Sequence, residues 1–291
     1  MRAPTRRRLV RLAAIAVVAV VAAAGTTACE PEGIWVQPVY EVERVDDIAY
    51  ATETDEHGQP EELRFDLYAP RDGERKNRPS VVWAHGGSFT SGDKSSMRWI
   101  PEALAARGFV VISIDYRLRE DLGAVRFPLS TEELITIIEA KSDMQGAVRY
   151  LRDLAGFYRL DPDKISVAGY SAGAVMALLV ATTPDSPGGS GHLGVSSAVC
   201  TAVSVSGAGS ELLVDGADAG ALLLHGRNDT TVPYAEAVAT YDAMVDAGLS
   251  AELVTYDGTA HAVPGEHPDD VIARSSAWLK AEMVDREDDC A

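Results

Sequence analysis

The pentapeptide Gly169-Tyr170-Ser171-Ala172-Gly173 constrains this chain more than any other stretch. Ile165-Ser166-Val167-Ala168 before it is short, largely apolar and β-branched, and residues 174–181 after it are mostly helix formers. The order is strand, sharp turn, helix. A serine on so tight a turn lifts its hydroxyl clear of a sheet only where the flanking positions carry almost no side chain, which glycine at both ends supplies. The helix behind Ser171 points free N–H groups, and the positive end of its dipole, at any anion formed there. Taken alone, the same residues also describe a plain strand-to-helix turn with an exposed serine. The surrounding sequence has to separate the two.

From residue 81 onward, short and almost wholly apolar segments alternate with helical ones. Segments 81–84, 109–114, 165–168, 199–205, 221–224 and 251–256 read as strands buried on both faces, as parallel strands covered by helices must be. Helices are expected near 97–107, 141–157, 172–182, 234–247 and 269–284, with Gly108 and Gly248 at helix ends and Asp161-Pro162 interrupting the chain before the central strand. Two earlier strands, 39–50 and 63–68, read as an antiparallel start. The expected fold is α/β, a mostly parallel sheet with helices on both faces and its site at the carboxyl ends of the strands. Residues 117–140 and 184–197 are read as long loops, and 206–220 leaves little room for a lid.

The first 28 residues read as a secretory signal. Arg2, Arg6, Arg7, Arg8 and Arg11 precede an apolar run over 12–24, and small residues lead to Cys29. Thr26-Thr27-Ala28-Cys29 is similar to a bacterial lipobox with threonine in place of the usual aliphatic residue, so Cys29 is expected to carry lipid; cleavage near Ala22-Ala23-Ala24 is the alternative. Residues 29–39 are expected to form a tether and 40–291 a single catalytic domain. Export fits the cysteines, because Cys200 and Cys290 remain as an even pair for one disulfide. The competing reading has Cys200 as a small buried apolar residue and Cys290 as a free tail thiol. A net charge of -18 disfavours nucleic acid and anionic membrane surfaces as partners, leaving a lipid at Cys29 as the expected membrane contact.

A serine nucleophile needs a base, an orienting carboxylate and donors for the oxyanion. His85-Gly86-Gly87-Ser88-Phe89 follows the 81–84 strand, and its two glycines let backbone N–H groups approach a reacting carbonyl; by itself it is also an ordinary turn. The amides of Gly86, Gly87 and Ala172 are the candidate donors. Asp229 follows a buried strand and is the candidate acid, with Asp257 and Asp215 left open. His261, just beyond the last strand, is the candidate base. His85 and His225 precede glycines at strand ends and read as structural hydrogen-bonders, while His57, His192 and His267 fall in a turn, a loop and a helix start. No metal-ligand cluster, phosphate loop or nucleotide fingerprint is visible, so no metal or cofactor is expected.

The order Ser171, Asp229, His261 with His-Gly-Gly upstream resembles the α/β-hydrolase fold, and within it the serine esterases of the hormone-sensitive-lipase-like and bacterial carboxylesterase-like groups. Asp115-Tyr116-Arg117-Leu118, the helical stretch 143–152 and Asp161-Pro162-Asp163-Lys164-Ile165 extend the resemblance over roughly 63–278. It differs at Ser88, where the fullest motif has a third glycine, and at Tyr170, where many relatives carry an acid. A long cap is not expected. The resemblance implies hydrolysis of small to medium carboxylic esters through an acyl-enzyme. A prolyl-oligopeptidase-type peptidase and a catalytically silent binding protein are the alternatives.

Overall fold

The computed structural model describes residues 31–72, 75–123, 129–185, 188–286 and 290. The signal segment, Cys29 and Arg126, Phe127 and Pro128 lie outside them. Eight strands, β1 (Val42–Thr54), β2 (Pro60–Pro70), β3 (Arg78–Ala84), β4 (Val110–Ile114), β5 (Leu160–Tyr170), β6 (Thr201–Val205), β7 (Gly220–Gly226) and β8 (Ala251–Tyr256), form one sheet in the order β1-β2-β4-β3-β5-β6-β7-β8. β1 pairs with β2, and β2 with β4, antiparallel; every other neighbouring pair is parallel. Both expectations, the antiparallel start and the parallel body, hold, except that β8, expected to be buried on both faces, is an edge strand only partly buried, with Glu252 exposed.

Among the described residues seven α-helices accompany the sheet: α1 (Trp99–Ala105), α2 (Thr131–Asp153), α3 (Ala155–Tyr158), α4 (Ala172–Thr182), α5 (Tyr234–Asp246), α6 (Val263–Glu266) and α7 (Pro268–Met283). The period of two along each strand divides the core. Val82, Ile112, Val167 and Leu223 face one way and pack with α2, α4 and α5, whereas Val81, Val111, Ala168 and Leu222 face the other and pack with α1 and α7. A short insertion of Asp161-Pro162-Asp163-Lys164 shifts the register, so that Arg78 pairs with Leu160 but Ser80 with Ile165.

Two expectations need correction. Residues 31–39 are not a free tether: Ile34 and Trp35 are buried, Trp35 packs on Phe109 at 5.1 Å between ring centroids, and its N–H donates to the Arg107 carbonyl at 2.7 Å. The apolar run Ile34-Trp35-Val36 is too short to show a strand or helix period, and the burial of its two largest side chains docks the segment. Residues 131–140, read as loop, are the first turns of α2. There Ser130 and Glu133 form a reciprocal capping box, each side chain accepting from the other's backbone N–H, a signature passed over because Leu134, Ile135 and Ile138 make no clean apolar stripe. The two alternatives for Cys200 and Cys290 also resolve: the structure carries a Cys200–Cys290 disulfide with Cα atoms 4.7 Å apart, joining the tail to the start of β6.

Candidate active site

The loops that follow β3, β5, β7 and β8 converge beyond the carboxyl ends of the strands. Ser171 sits between β5 and α4 with φ 54° and ψ -115°, a conformation that side chains resist. Its N–H donates to the Val205 carbonyl at 2.9 Å, and its own carbonyl accepts from Val175 at 3.0 Å, which starts the helix. The flanking glycines are required by space. A Cβ at Gly169 would stand 2.3 Å from the carbonyl carbon of Gly173, and one at Gly173 would stand 2.2 Å from the carbonyl oxygen of Ala84.

Three side chains from three loops meet there. The Ser171 Oγ–H donates to His261 Nε2 at 2.8 Å, and His261 Nδ1–H donates to Asp229 Oδ2 at 2.7 Å. The carboxylate acceptor assigns the proton to Nδ1 and leaves Nε2 to accept. Of the carboxylates left open, Asp229 alone reaches His261. Asp257 is 80% exposed and pairs with Arg227. Asp215 accepts from Ala217 N–H inside its own loop. The Asp229 side chain is fully buried, which disfavours its charge, but hydrogen bonds from His225, His261 and the Thr231 N–H outweigh that and hold the carboxyl well below the usual carboxylate range.

The His-Gly-Gly loop lies against the serine. A Cβ on Gly86 would stand 2.8 Å from Tyr170 Cδ1 and 3.1 Å from Ser171 Cβ; at Gly87 (φ +129°) it would collide with the Ser91 carbonyl oxygen. His85 is structural, buried and stacked on Tyr116 with ring centroids 4.4 Å apart, and burial pushes it down from its ordinary value. Two residues already singled out in the sequence, Tyr170 and His225, touch the site in ways that the sequence did not reveal. Tyr170 lies against His261 with centroids 5.3 Å apart and donates its hydroxyl to the His261 carbonyl at 3.2 Å. His225, four residues before Asp229, reaches the same carboxylate oxygen as His261. A polar residue ending an otherwise apolar buried strand was the signal for it. Among the described residues no group of three or more His, Cys, Asp or Glu could hold a metal ion. The arrangement suits proton transfer from a hydroxyl as it attacks an electrophilic carbon.

Comparison with known proteins fits this geometry. The family model described as BD-FAE matches residues 65–192, and that of the prolyl oligopeptidase family matches 207–285. A probable isoprenylcysteine alpha-carbonyl methylesterase of Oryza sativa subsp. japonica is 34% identical over 42% of this chain and 26% of its own length. The para-nitrobenzyl esterase of Bacillus subtilis (strain 168) is 32% identical over 43% of this chain and 25% of its own. The matches thus span about a quarter of these curated relatives. Among solved structures, butyrate-bound esterase 2 of Thermogutta terrifontis superposes with a TM-score of 0.68 at 22% identity, covering 84% of this chain and 94% of that one.

Proposed function

We propose that this chain, which has the α/β-hydrolase fold of known esterases, is itself an exported serine esterase that hydrolyses small to medium carboxylic esters. The hydrogen-bonded series Ser171, His261, Asp229, drawn from three separate loops onto one backbone-strained serine, carries the reading. Ser171 Oγ attacks the ester carbonyl while His261 Nε2 takes its proton, and Asp229 holds the imidazole tautomer and balances the imidazolium. The amides of Gly86, Gly87 and Ala172 receive the oxyanion; Ala172 opens α4, so the helix dipole adds to its N–H. His261 then protonates the departing alcohol, and a water deprotonated by His261 releases the acid from Ser171.

The names of the relatives support ester substrates, and butyrate bound to the Thermogutta enzyme supports a short acyl group. Export, with lipid at Cys29, is supported by the arginine-led apolar N-terminus and by the disulfide, a bond that oxidising compartments sustain. Hydrolysis of p-nitrophenyl acetate through decanoate by wild type and Ser171→Ala tests the activity: short esters should be cleaved by the wild type alone, and equal rates for both proteins would rule the esterase out. The prolyl oligopeptidase match over 207–285 favours a peptidase as the second reading. Cleavage of a prolyl anilide faster than any ester would select it.

A further inference from the structure

We propose that His225 is a positioning residue for this reaction, donating a second hydrogen bond to the Asp229 oxygen that holds His261 and so setting how strongly the carboxylate draws the His261 proton. The inference rests on the hydrolase reading above, but its test does not require turnover. His225 lies near the end of β7 and is wholly buried. Its Nε2 stands 3.0 Å from the Val232 carbonyl oxygen and 3.2 Å from Asp229 Oδ2. Both neighbours only accept, so Nε2 carries the proton and shares its single N–H between them, the Val232 carbonyl being the nearer. Nδ1 is buried and has no hydrogen-bond partner among the described residues.

Every acceptor site on Asp229 is thereby used. Oδ1 accepts from the N–H groups of Thr231 at 2.9 Å and Val232 at 3.1 Å, and Oδ2 is shared by His261 and His225. A carboxylate stabilised by more donors is a weaker base toward each of them. The imidazolium that forms at His261 during attack is therefore held less tightly than by an oxygen facing His261 alone, and the proton passes on more readily to the leaving alcohol. Among the described residues, the other titratable or charged groups around the pair are Tyr170 on β5, and Tyr234 on α5 with its ring 6.0 Å from His225 and Arg227 lying over it. Neither tyrosine donates to Asp229.

NMR titration of the His261 ring in histidine-labelled protein, assigned by its loss in His261→Gln, tests this in wild type, His225→Phe, His225→Asn and His225→Gln. Glutamine can keep an N–H near the Nε2 position; phenylalanine has none, and asparagine is too short to reach. The His261 midpoint should rise by about half a pH unit or more in the Phe and Asn variants and stay near wild type in Gln, and wherever esters are turned over the acid limb of kcat/KM should move with it. Unchanged midpoints in folded Phe or Asn variants would overturn the proposal, as would a Gln variant that moves as far as Phe. Absence of ester hydrolysis by wild type would count against the proposed function and leave the titration to decide His225.

Discussion

The two edges of the sheet are built on opposite terms. At the carboxyl edge, the loops after β3, β5 and β6 hold Ser88, Phe89, Ser171 and Ser206 at φ of 55°, 64°, 54° and 54°. At the amino edge the chain is fastened. The Cys200–Cys290 bridge lies there beside a cavity of about 480 Å³, Arg78 donates to the Gly108 carbonyl at 2.6 Å, Arg152 donates to the Ala198 carbonyl at 2.6 Å, and Ser250 donates to Glu282 at 2.8 Å. Positive φ occurs there too, at Trp35, Asn77 and Arg159, but Arg159 is an ordinary left-handed helix cap, whereas the ψ of -115° at Ser171 lies outside that region. One edge holds strained backbone where side chains project from tight turns; the other is tied by a covalent bridge and hydrogen bonds.

This contrast can be broken by separating activity from stability. Ser171→Ala should lower kcat by about a millionfold, while its thermal unfolding stays close to wild type. Asp229→Asn should lower kcat by roughly ten-thousandfold, and Asp257→Asn and Asp215→Asn should remain within about twofold of wild type. Loss of activity on changing Asp257 alone would mean that the acid has been misassigned. At the other edge, Cys200→Ser with Cys290→Ser should cost about 2–5 kcal/mol in denaturant unfolding and leave kcat/KM unchanged.

Acid should act through the carboxyl edge. The folded carboxyl of Asp229 titrates below its unfolded value, so its contribution to stability is present above about pH 4 and is lost as pH falls through the folded value. Unfolding followed from pH 5 downward should therefore be less steeply pH-dependent in Asp229→Asn. The smallest effect sharpens the comparison most: Ser171→Gly should be about 1 kcal/mol more stable than Ser171→Ala, because only glycine adopts that backbone without strain. Equal stabilities would mean that the elbow stores no strain.

Much of this molecule was legible before folding. Five of the six apolar segments became strands buried on both faces because parallel strands covered by helices must be apolar throughout, whereas the sixth, β8, is a half-buried edge strand with Glu252 exposed, and Gly169 and Gly173 marked the elbow because a Cβ at either would strike backbone. Burial of Ile34 and Trp35 was not legible, since an apolar run of three residues carries no period. The start of α2 was written in Ser130 and Glu133 but obscured by the exposed Leu134, Ile135 and Ile138.

By itself the sequence determined the layered α/β order and the serine on its turn, because both follow from spacing along the chain. Which carboxylate serves His261, whether Cys200 meets Cys290, and that His225 shares Asp229 were decided by the tertiary structure alone. Asp215, Asp229 and Asp257 are equally plausible loop acids in one dimension. Only the parallel pairing of β7 with β8 brings the loop of Asp229 beside that of His261, 32 residues away, and a hydrogen bond of 2.7 Å exists only in that arrangement.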